Sequence, residues 1–170
     1  MLHTLHDGTR IHLRPIEAGD KARLTAALGR LSQETIRRRF LAAKPSFSTS
    51  ELRYLTEVDG RNHLALAAFL ADDPEVLVGV ARCVRLPDAD APDTAEFAIV
   101  VGDPLQGRGL GTLLARELST AARAAGIRRF AATMLSDNAA VGRLMATISA
   151  HLELERIEGG VREVVVDLAA

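Results

Sequence analysis

The segment Gln106-Gly107-Arg108-Gly109-Leu110-Gly111 has the residue types of an anion-binding loop. It follows a run that predicts a β-strand and opens a long segment with the leucine and alanine spacing of a helix. Glycines let the backbone adopt positive φ angles and approach a ligand closely, and a helix start supplies unpaired amides with partial positive charge. Together these features predict a site for a diphosphate group, with Arg108 as an additional cation.

Other interpretations fit this glycine pattern less well. A helix start without a ligand is one of them, although three alternating glycines weaken a helix unless a ligand needs the bare backbone. A dinucleotide-binding fingerprint has Gly-x-Gly-x-x-Gly spacing directly after a strand, whereas here five residues separate Val101 from Gly107 and the spacing is Gly-x-Gly-x-Gly. A P-loop is excluded because no Gly-Lys-Ser/Thr ending follows.

The elements that must position this loop follow from apolar periodicity and turn residues. Strands are predicted at Thr9–Pro15, His63–Leu70, Val76–Leu86, Thr94–Val101, Arg129–Leu135, Leu152–Ile157 and Val161–Leu168. Helices are predicted at Glu17–Leu31, Ser32–Phe40, Ser48–Val58, Gly107–Gly126 and Asn138–Ser149. The order predicts one α/β domain over residues 1–170, with a mixed, largely antiparallel sheet of about seven strands flanked by about five helices.

Composition and charge exclude several classes of protein. A net charge of −1 gives no global basic field, so nucleic-acid binding is not predicted. The only dense basic run, Arg37–Arg39, is interpreted as a solvated or partly packed helix face. The longest charge-free stretch, Asn62–Ala71, is far short of the ~20 residues that span a bilayer. With no secretory signal at the N-terminus, the sequence predicts a cytoplasmic protein without membrane contact.

The cysteine and histidines predict no metal or thiol chemistry. Cys83 is the only cysteine, so it forms no internal disulfide, and its apolar surroundings predict a small buried side chain. His3, His6 and His12 span a predicted tail and a strand without an acidic or thiol partner, so no metal site is expected. His63 heads an apolar strand and is interpreted as a packing residue.

The pattern (Arg/Gln)-x-x-Gly-x-(Gly/Ala), here Gln106, Gly109 and Gly111, resembles the acetyl-CoA loop of the GNAT N-acetyltransferases. The order of elements over residues 9–168 is similar to that of the family, and Asn138 matches a habitual family position. The segments Leu31–Thr35, Arg39-Phe40, Glu51-Leu52 and Val58-Asp59 further resemble the catalytic domain of Pat-type bacterial protein-lysine acetyltransferases. These resemblances imply an acetyl-CoA-dependent N-acetyltransferase.

The resemblance also implies roles for individual residues. The strand before the loop is expected to splay from the next strand, leaving a cleft for the pantetheine arm of acetyl-CoA. Main-chain groups of Ile99, Val100 and Val101 would bind this arm, and the Gln106–Gly111 loop would bind the diphosphate. Asn138 would contact the cofactor through its side-chain amide, cap the next helix, or do both.

Glu96 is the candidate general base. An alkylammonium with a pKa of about 10 must lose a proton before it attacks a thioester, and Glu96 is the only acid within Ala95–Val101. Strand alternation places it on the face of Ala98 and Val100, unless a bulge changes the parity. A solvated glutamate at a strand start is the alternative interpretation.

The general acid is not evident. Many GNAT enzymes have a tyrosine seven residues after the asparagine, where this chain has Met145, and the only tyrosine is Tyr54. Ser149 likewise stands where a glycine is usual. Water or a hydroxyl such as that of Ser136 would then protonate the leaving thiolate.

Two classes of function follow from these residues. The leading one is direct acetyl transfer from acetyl-CoA to a primary amine in a ternary complex, with a protein lysine or a small amine as acceptor. The other is a non-catalytic acyl-CoA-binding module, which the missing tyrosine favours. Neither the acceptor nor the oligomeric state follows from the sequence.

Overall fold

Eight β-strands form a single sheet in the computed structural model, which describes residues 1–87, 92–149 and 152–168. In chain order they are β1 (Leu2–Thr4), β2 (Arg10–Pro15), β3 (His63–Leu70), β4 (Asp73–Arg85), β5 (Thr94–Val101), β6 (Arg129–Leu135), β7 (Leu152–Glu158) and β8 (Val161–Asp167). Their order across the sheet is β1-β2-β3-β4-β5-β6-β8-β7. The β5–β6 pair is parallel and the other neighbouring pairs are antiparallel, which confirms the predicted mixed, largely antiparallel sheet.

The same described residues contain five α-helices, as predicted. They are α1 (Lys21–Gly29), α2 (Gln33–Phe40), α3 (Thr49–Thr56), α4 (Leu110–Ala124) and α5 (Ala139–Ile148). Side-chain caps start α2 and α3, because Ser32 Oγ accepts the amide of Thr35 and Ser48 Oγ accepts that of Glu51. Gly126, with φ of 78°, follows the end of α4 in the left-handed conformation that favours glycine.

Several element boundaries differ from the predictions; β4, for example, starts at Asp73, three residues before the predicted Val76. The predicted N-terminal tail contains β1, which pairs with β2 and raises the strand number from about seven to eight. The predicted helix Glu17–Leu31 is shorter, with a 3-10 turn at Ala18–Asp20 before α1. α4 starts three residues later than predicted because Gly107 and Gly109 adopt positive φ angles instead of helical ones.

Both faces of the sheet are buried by helices. On one face, α4 packs its stripe of Leu110, Leu114, Leu118 and Ala122 into the larger apolar core, and each of these side chains is fully buried. On the other face, Leu24 of α1 belongs to a smaller core formed with side chains of β3 and β4. The sheet is therefore a rigid platform for the loops at its edges.

The parallel strands β5 and β6 separate after a short paired segment. Only Thr94–Glu96 pairs with β6, opposite Arg129–Ala131, although both strands continue further along the chain. β5 remains paired with β4 on its other side, in continuous register from Gly79 opposite Val101 to Arg85 opposite Ala95. The predicted splayed strand pair is thus present, and it leaves an opening in the sheet beyond Glu96.

Candidate active site

The glycine loop takes the conformation that an anion site requires. Gly107 and Gly109 have φ angles of 73° and 91°, and Gly109 is the N-cap residue of α4. The first bond of the helix runs from the amide of Leu113 to the carbonyl of Gly109, at 3.0 Å. The amides of the preceding turn have no partner within the helix, so they are free to bind an anion at its positive end.

Gln106 holds this loop against two other elements. Its side-chain nitrogen Nε2 donates to the carbonyl of Val101 at 3.1 Å and to Thr35 Oγ1 at 3.0 Å. The Gln106 side chain therefore positions the loop through both of these hydrogen bonds.

Asp103 extends the same network to the N-terminus of α2. Its carboxylate accepts hydrogen bonds from the amide of Ser32 at 2.9 Å, from Ser32 Oγ at 2.6 Å and from Thr35 Oγ1 at 2.7 Å. Burial raises the pKa of Asp103, but these hydrogen bonds outweigh burial and hold it below its ordinary value. Asp103 therefore stays ionised and fixes α2 relative to the glycine loop.

Arg108 and Leu110 are placed differently from the other loop residues. Arg108 donates through Nη1 to Asp7 Oδ2 at 2.9 Å, in the turn between β1 and β2, and its side chain does not line the cleft described below. Hydrogen bonds from Thr9, followed by Arg108, lower the pKa of Asp7 to about 2. Leu110 is fully buried in the core, so it can contribute only its backbone amide.

His6 takes the place beside the loop that Arg108 was expected to occupy. A Cβ atom at Gly109 would lie only 3.1 Å from His6 Nδ1, so the imidazole rests against the start of α4. The sequence predicts that His6 lies in an N-terminal tail. Only the pairing of β1 with β2, which is too short to leave a periodicity in the sequence, brings it to the loop.

A cleft of about 470 Å³ runs along the loop, the end of β5 and the start of α5. The predicted cofactor-binding residues other than Arg108 and Leu110 line it, namely Ile99, Val100, Val101, Gln106, Gly107, Gly109, Gly111 and Asn138. Sequence reasoning missed several further lining residues, among them His6, Thr35, Arg143 and Leu144. The structure thus brings most of the predicted set together along one surface.

Asn138 both caps a helix and faces the cleft. Its side-chain oxygen accepts the amide of Val141 at 3.4 Å at the start of α5, which is the predicted cap. The residue is buried, and within the described ranges its side-chain NH₂ group donates no hydrogen bond to the protein. A donor directed at a ligand is therefore available at this position.

Glu96 lines a second cavity of about 210 Å³ that adjoins the cleft. The two share the lining residues Arg38, Arg39, Ile99, Asn138 and Val141. The unbroken β4–β5 register contains no bulge, so Glu96 lies on the face of Ala98 and Val100 as predicted. We call this cavity the Glu96 pocket.

Charged and polar groups pack beneath this face of the sheet. Buried Arg82 is hydrogen-bonded to His63 Nε2 at 3.1 Å and donates to the carbonyl of Leu55 at 3.2 Å. Burial, followed by the neighbouring Arg39, lowers the pKa of Arg82 to about 10. Burial and the charge of Arg82 lower the pKa of His63 to about 4, so at neutral pH His63 is a neutral acceptor that packs as predicted.

The candidate general acids are outside the Glu96 pocket. Met145, at the position where a tyrosine is common, is buried in the apolar core. Tyr54 lies tilted against the His63 ring with centroids 4.8 Å apart, and Ser136 is exposed; neither lines the pocket. Among the described residues, Thr133 supplies the one hydroxyl that lines the pocket. Cys83 is buried, as predicted, and burial raises the pKa of its thiol to about 12.

The model of the acetyltransferase (GNAT) family matches residues 33–147, which include α2, the Glu96 pocket, the glycine loop and Asn138. The chain belongs to the GNAT acetyltransferase family. The predicted resemblance to Pat-type acetyltransferases is also confirmed. Acetyltransferase Pat of Mycolicibacterium smegmatis is 35% identical over 150 residues, which cover 84% of this chain and 42% of that protein. This GNAT chain therefore spans less than half the length of that relative.

Two further proteins are similar to this GNAT chain over most of its length. Acetyltransferase PA5475 of Pseudomonas aeruginosa is 30% identical over 152 residues, covering 89% of this chain and 78% of that protein. The crystal structure of the GNAT domain of S. lividans PAT superimposes with a TM-score of 0.87 at 30% identity, covering 99% of this chain and 96% of the other. The fold is thus that of a GNAT domain.

The remaining sequence predictions concern membranes, metals and location. Within the described ranges, none of the helices combines the length and apolar character needed to cross a membrane. Those ranges also contain no group of three or more His, Cys, Asp or Glu side chains arranged to hold a metal ion. The cytoplasmic location stays a prediction.

Proposed function

We propose that the chain transfers an acetyl group from acetyl-CoA to a primary amine by direct attack, without a covalent enzyme intermediate. The observation that carries the proposal is that the cleft and the Glu96 pocket adjoin each other where β5 and β6 separate, and share five lining residues. A long ligand anchored at the glycine loop can extend through this opening toward Glu96. Membership in the GNAT family and the relatives named acetyltransferases support this assignment.

The residues around the cleft fit acetyl-CoA. The amides at the start of α4 would bind the diphosphate, since they are unpaired and lie at the positive end of the helix dipole. Ile99, Val100 and Val101 line the cleft, and their main-chain groups would bind the pantetheine arm. The free NH₂ group of Asn138 would donate to the same ligand where the cleft meets the Glu96 pocket.

Glu96 would act as the general base. Acetyl-CoA supplies an activated carbonyl carbon, but an alkylammonium with a pKa of about 10 cannot attack it until it loses a proton. Glu96 would accept that proton, directly or through a water molecule. The amine nitrogen then forms the C–N bond as the C–S bond breaks, and the second proton that the nitrogen loses passes through solvent to the departing thiolate, whose pKa is near 8.5.

The acceptor is a protein lysine or a small amine. The Pat relatives, which cover most of this chain, favour a protein lysine. The two acceptor classes are separated by an acetylation assay that compares a lysine-bearing acyl-CoA synthetase with polyamines and aminoglycosides. Activity on small amines alone would contradict the protein-lysine assignment.

Replacing Glu96 with glutamine tests the assigned base. We expect kcat/KM for the amine to fall by roughly 10²- to 10⁴-fold, while the Kd of acetyl-CoA changes little. The loss should be largest at low pH, where few acceptor molecules are already unprotonated. Glu158→Gln, at an exposed position in the β7–β8 hairpin, is the matched control. Full activity of Glu96→Gln at every pH would show that Glu96 is not the base.

A non-catalytic acyl-CoA-binding module is the second candidate function. It is favoured by Met145, which is buried in the core where many GNAT enzymes have a catalytic tyrosine. This function predicts that calorimetry detects acetyl-CoA binding, that no amine is turned over, and that Glu96→Gln changes neither result.

A further inference from the structure

Arg39 is a cationic group of the Glu96 pocket for which the described residues supply no ion-pair partner. It lies near the C-terminal end of α2 and lines both the pocket and the adjoining cleft. Across the described part of the chain, its guanidinium makes no ion pair and no hydrogen bond. Its one defined contact is with the neighbouring Phe40, whose ring centroid lies 4.9 Å from Arg39 Cζ.

The other two arginines of the basic run have different surroundings. Arg37 is exposed and lines neither cavity. Arg38 is half-buried, and its Nε lies 2.7 Å from Glu34 Oε1, one helical turn earlier. The predicted solvated or partly packed helix face therefore describes Arg37 and Arg38, whereas Arg39 lines the pocket without an ion-pair partner among the described residues.

Keeping a guanidinium partly out of water without an acceptor is unfavourable. Burial lowers the pKa of Arg39, while the charge of Glu96 and that of Tyr54 raise it. Glu96 is therefore close enough to act on Arg39, yet the two side chains form no ion pair. Arg39 keeps planar N–H donors suited to binding an oxyanion in a two-point arrangement.

The charges around the pocket favour an acceptor that carries a negative group. Among the described residues, Glu96 is the one carboxylate lining the pocket, beside Arg39 and the Glu34-paired Arg38. Arg82 adds a further positive charge in the sheet opposite Ala98, where it bonds His63 and the carbonyl of Leu55. An ammonium alone would therefore enter a region of net positive charge. A carboxylate on the same molecule would offset this repulsion and satisfy the Arg39 donors.

We propose that Arg39 binds a carboxylate of the acceptor, so that the substrate is an amine with a carboxylate close to it. The proposal rests on the proposed acetyl transfer to an amine. The amine nitrogen would face Glu96 and the carboxylate would face Arg39, within one cavity of about 210 Å³. The carboxylate can be that of an amino acid or that of an acidic side chain beside a lysine, since both present the same group.

Matched acceptor pairs test this assignment at saturating acetyl-CoA. Leucine is compared with 3-methylbutylamine, which differs only by the carboxylate beside the amine. Lysine peptides with a neighbouring glutamate are compared with the same peptides carrying glutamine. In at least one pair, the carboxylated acceptor should have a kcat/KM about 10- to 100-fold higher, as expected for a charge-assisted hydrogen bond. The pair that responds identifies the source of the carboxylate.

Three variants then assign the preference to Arg39. Arg39→Gln should reduce the ratio within the responsive pair to about one, by raising KM for the carboxylated acceptor more than it lowers kcat. Arg39→Lys should give an intermediate ratio, because an ammonium keeps the charge but loses the planar two-point geometry. Arg37→Gln, on the same helix but exposed, should keep the wild-type ratio. Acetyl-CoA affinity and thermal melting report whether each variant remains folded.

Several outcomes would overturn the proposal. Equal kcat/KM values within every pair for the wild-type protein contradict carboxylate recognition while leaving acetyl transfer intact. A loss in Arg39→Gln that is equal for both members of a pair, or that is confined to the KM of acetyl-CoA, assigns Arg39 to the fold or the cofactor. Acetyl-CoA binding without turnover of any amine contradicts the transferase function itself, and with it this proposal.

Discussion

Replacing Gly109 with alanine tests whether the glycine loop binds acetyl-CoA through its backbone. Gly109 has a φ angle of 91°, in the left-handed region that residues with a Cβ atom rarely adopt. The added Cβ would also lie 3.1 Å from His6 Nδ1, closer than a relaxed contact. The variant must therefore either hold a strained loop or rotate the loop away from the conformation that presents the first amides of α4.

The size of the effect follows from these two alternatives. Holding alanine at this φ angle costs about 1–3 kcal/mol of folding stability. If the loop rotates instead, one or more amide bonds to the diphosphate are lost, and each bond to a charged group contributes about 1.5–3 kcal/mol. We expect a fall in folding stability within the first range, a fall in acetyl-CoA affinity of about tenfold or more, or both.

Gly126→Ala provides the matched control. Gly126 has a φ angle of 78°, an added Cβ atom there would meet no other atom within 4 Å, and the residue follows the other end of the same helix. At about 1.5 Å per residue, the 15 residues of α4 place it about 22 Å from the loop. It should therefore lose stability without losing acetyl-CoA affinity.

Calorimetric titration with acetyl-CoA and urea unfolding would measure the two effects separately. Both variants should unfold at lower urea concentration than the wild-type chain, and only Gly109→Ala should bind acetyl-CoA more weakly. Equal acetyl-CoA affinities for wild-type and Gly109→Ala, with the strain visible in stability alone, would refute the assignment of the loop. So would an equal loss of affinity in Gly126→Ala.

Two further substitutions test the N-terminal region. His6→Ala should weaken coenzyme A binding about three- to tenfold, which corresponds to the loss of one hydrogen bond. His12 is exposed on β2, so His12→Ala should leave the affinity unchanged. Equal coenzyme A affinities for the two variants in calorimetric titration would contradict a role for His6. Asp20 is buried, and its Oδ2 lies 2.7 Å from Arg14 Nη1. Burial alone would raise the pKa of Asp20, but hydrogen bonds from Arg14, the Glu17 amide and Arg23 lower it from 3.8 to about 2. Its charge therefore stabilises the fold above pH 3.8, and this contribution is lost as the pH falls through about 2. Asp20→Asn should lower the free energy of unfolding by about 2–4 kcal/mol at neutral pH, and by less in acid. Urea unfolding at several pH values measures this difference between variant and wild type. A difference that does not change with pH would contradict the assigned role of the Asp20 charge.

The sequence predicted the central elements well because each contains its own signal. The predicted strands His63–Leu70, Thr94–Val101 and Arg129–Leu135 have the observed bounds, since each is an apolar run bounded by turn residues. The Gly159-Gly160 pair has φ angles of 58° and 79°, as a tight hairpin requires. In these segments local preference and tertiary structure agree.

The N-terminal strand could not be predicted because its stability comes from distant contacts. β1 contains only three residues, too few for alternation to be visible. It forms because it pairs with β2, because Leu5 is buried in the core, and because the terminal ammonium donates to the carbonyl of Leu13 at 2.6 Å. The displacement of Arg108 from the cleft has the same origin, since its partner Asp7 lies in the turn that β1 positions.

Residue type alone does not show which arginine of the basic run lines the Glu96 pocket. Arg37, Arg38 and Arg39 are identical in the sequence, and helical periodicity separates them by about 100° from one to the next. Which of the three faces the pocket depends on how α2 is oriented, and that orientation is set by contacts outside the run. A chemical role for one of them therefore becomes visible only in the folded chain.

The orientation of α2 is set by the network that also holds the glycine loop. Ser32 caps α2 and donates to Asp103, Thr35 donates to the same carboxylate, and Gln106 donates to Thr35. One end of α2 is thereby fixed to the loop proposed to bind the diphosphate, while the other end carries Arg39 into the Glu96 pocket. Because α2 is a single helix of eight residues, about 12 Å long, fixing its N-terminal end also fixes the position of Arg39 near its C-terminal end. If acetyl-CoA binds as proposed, its distance from the Glu96 pocket is therefore set by hydrogen bonds of Thr35 and Gln106, two residues that also line the cleft.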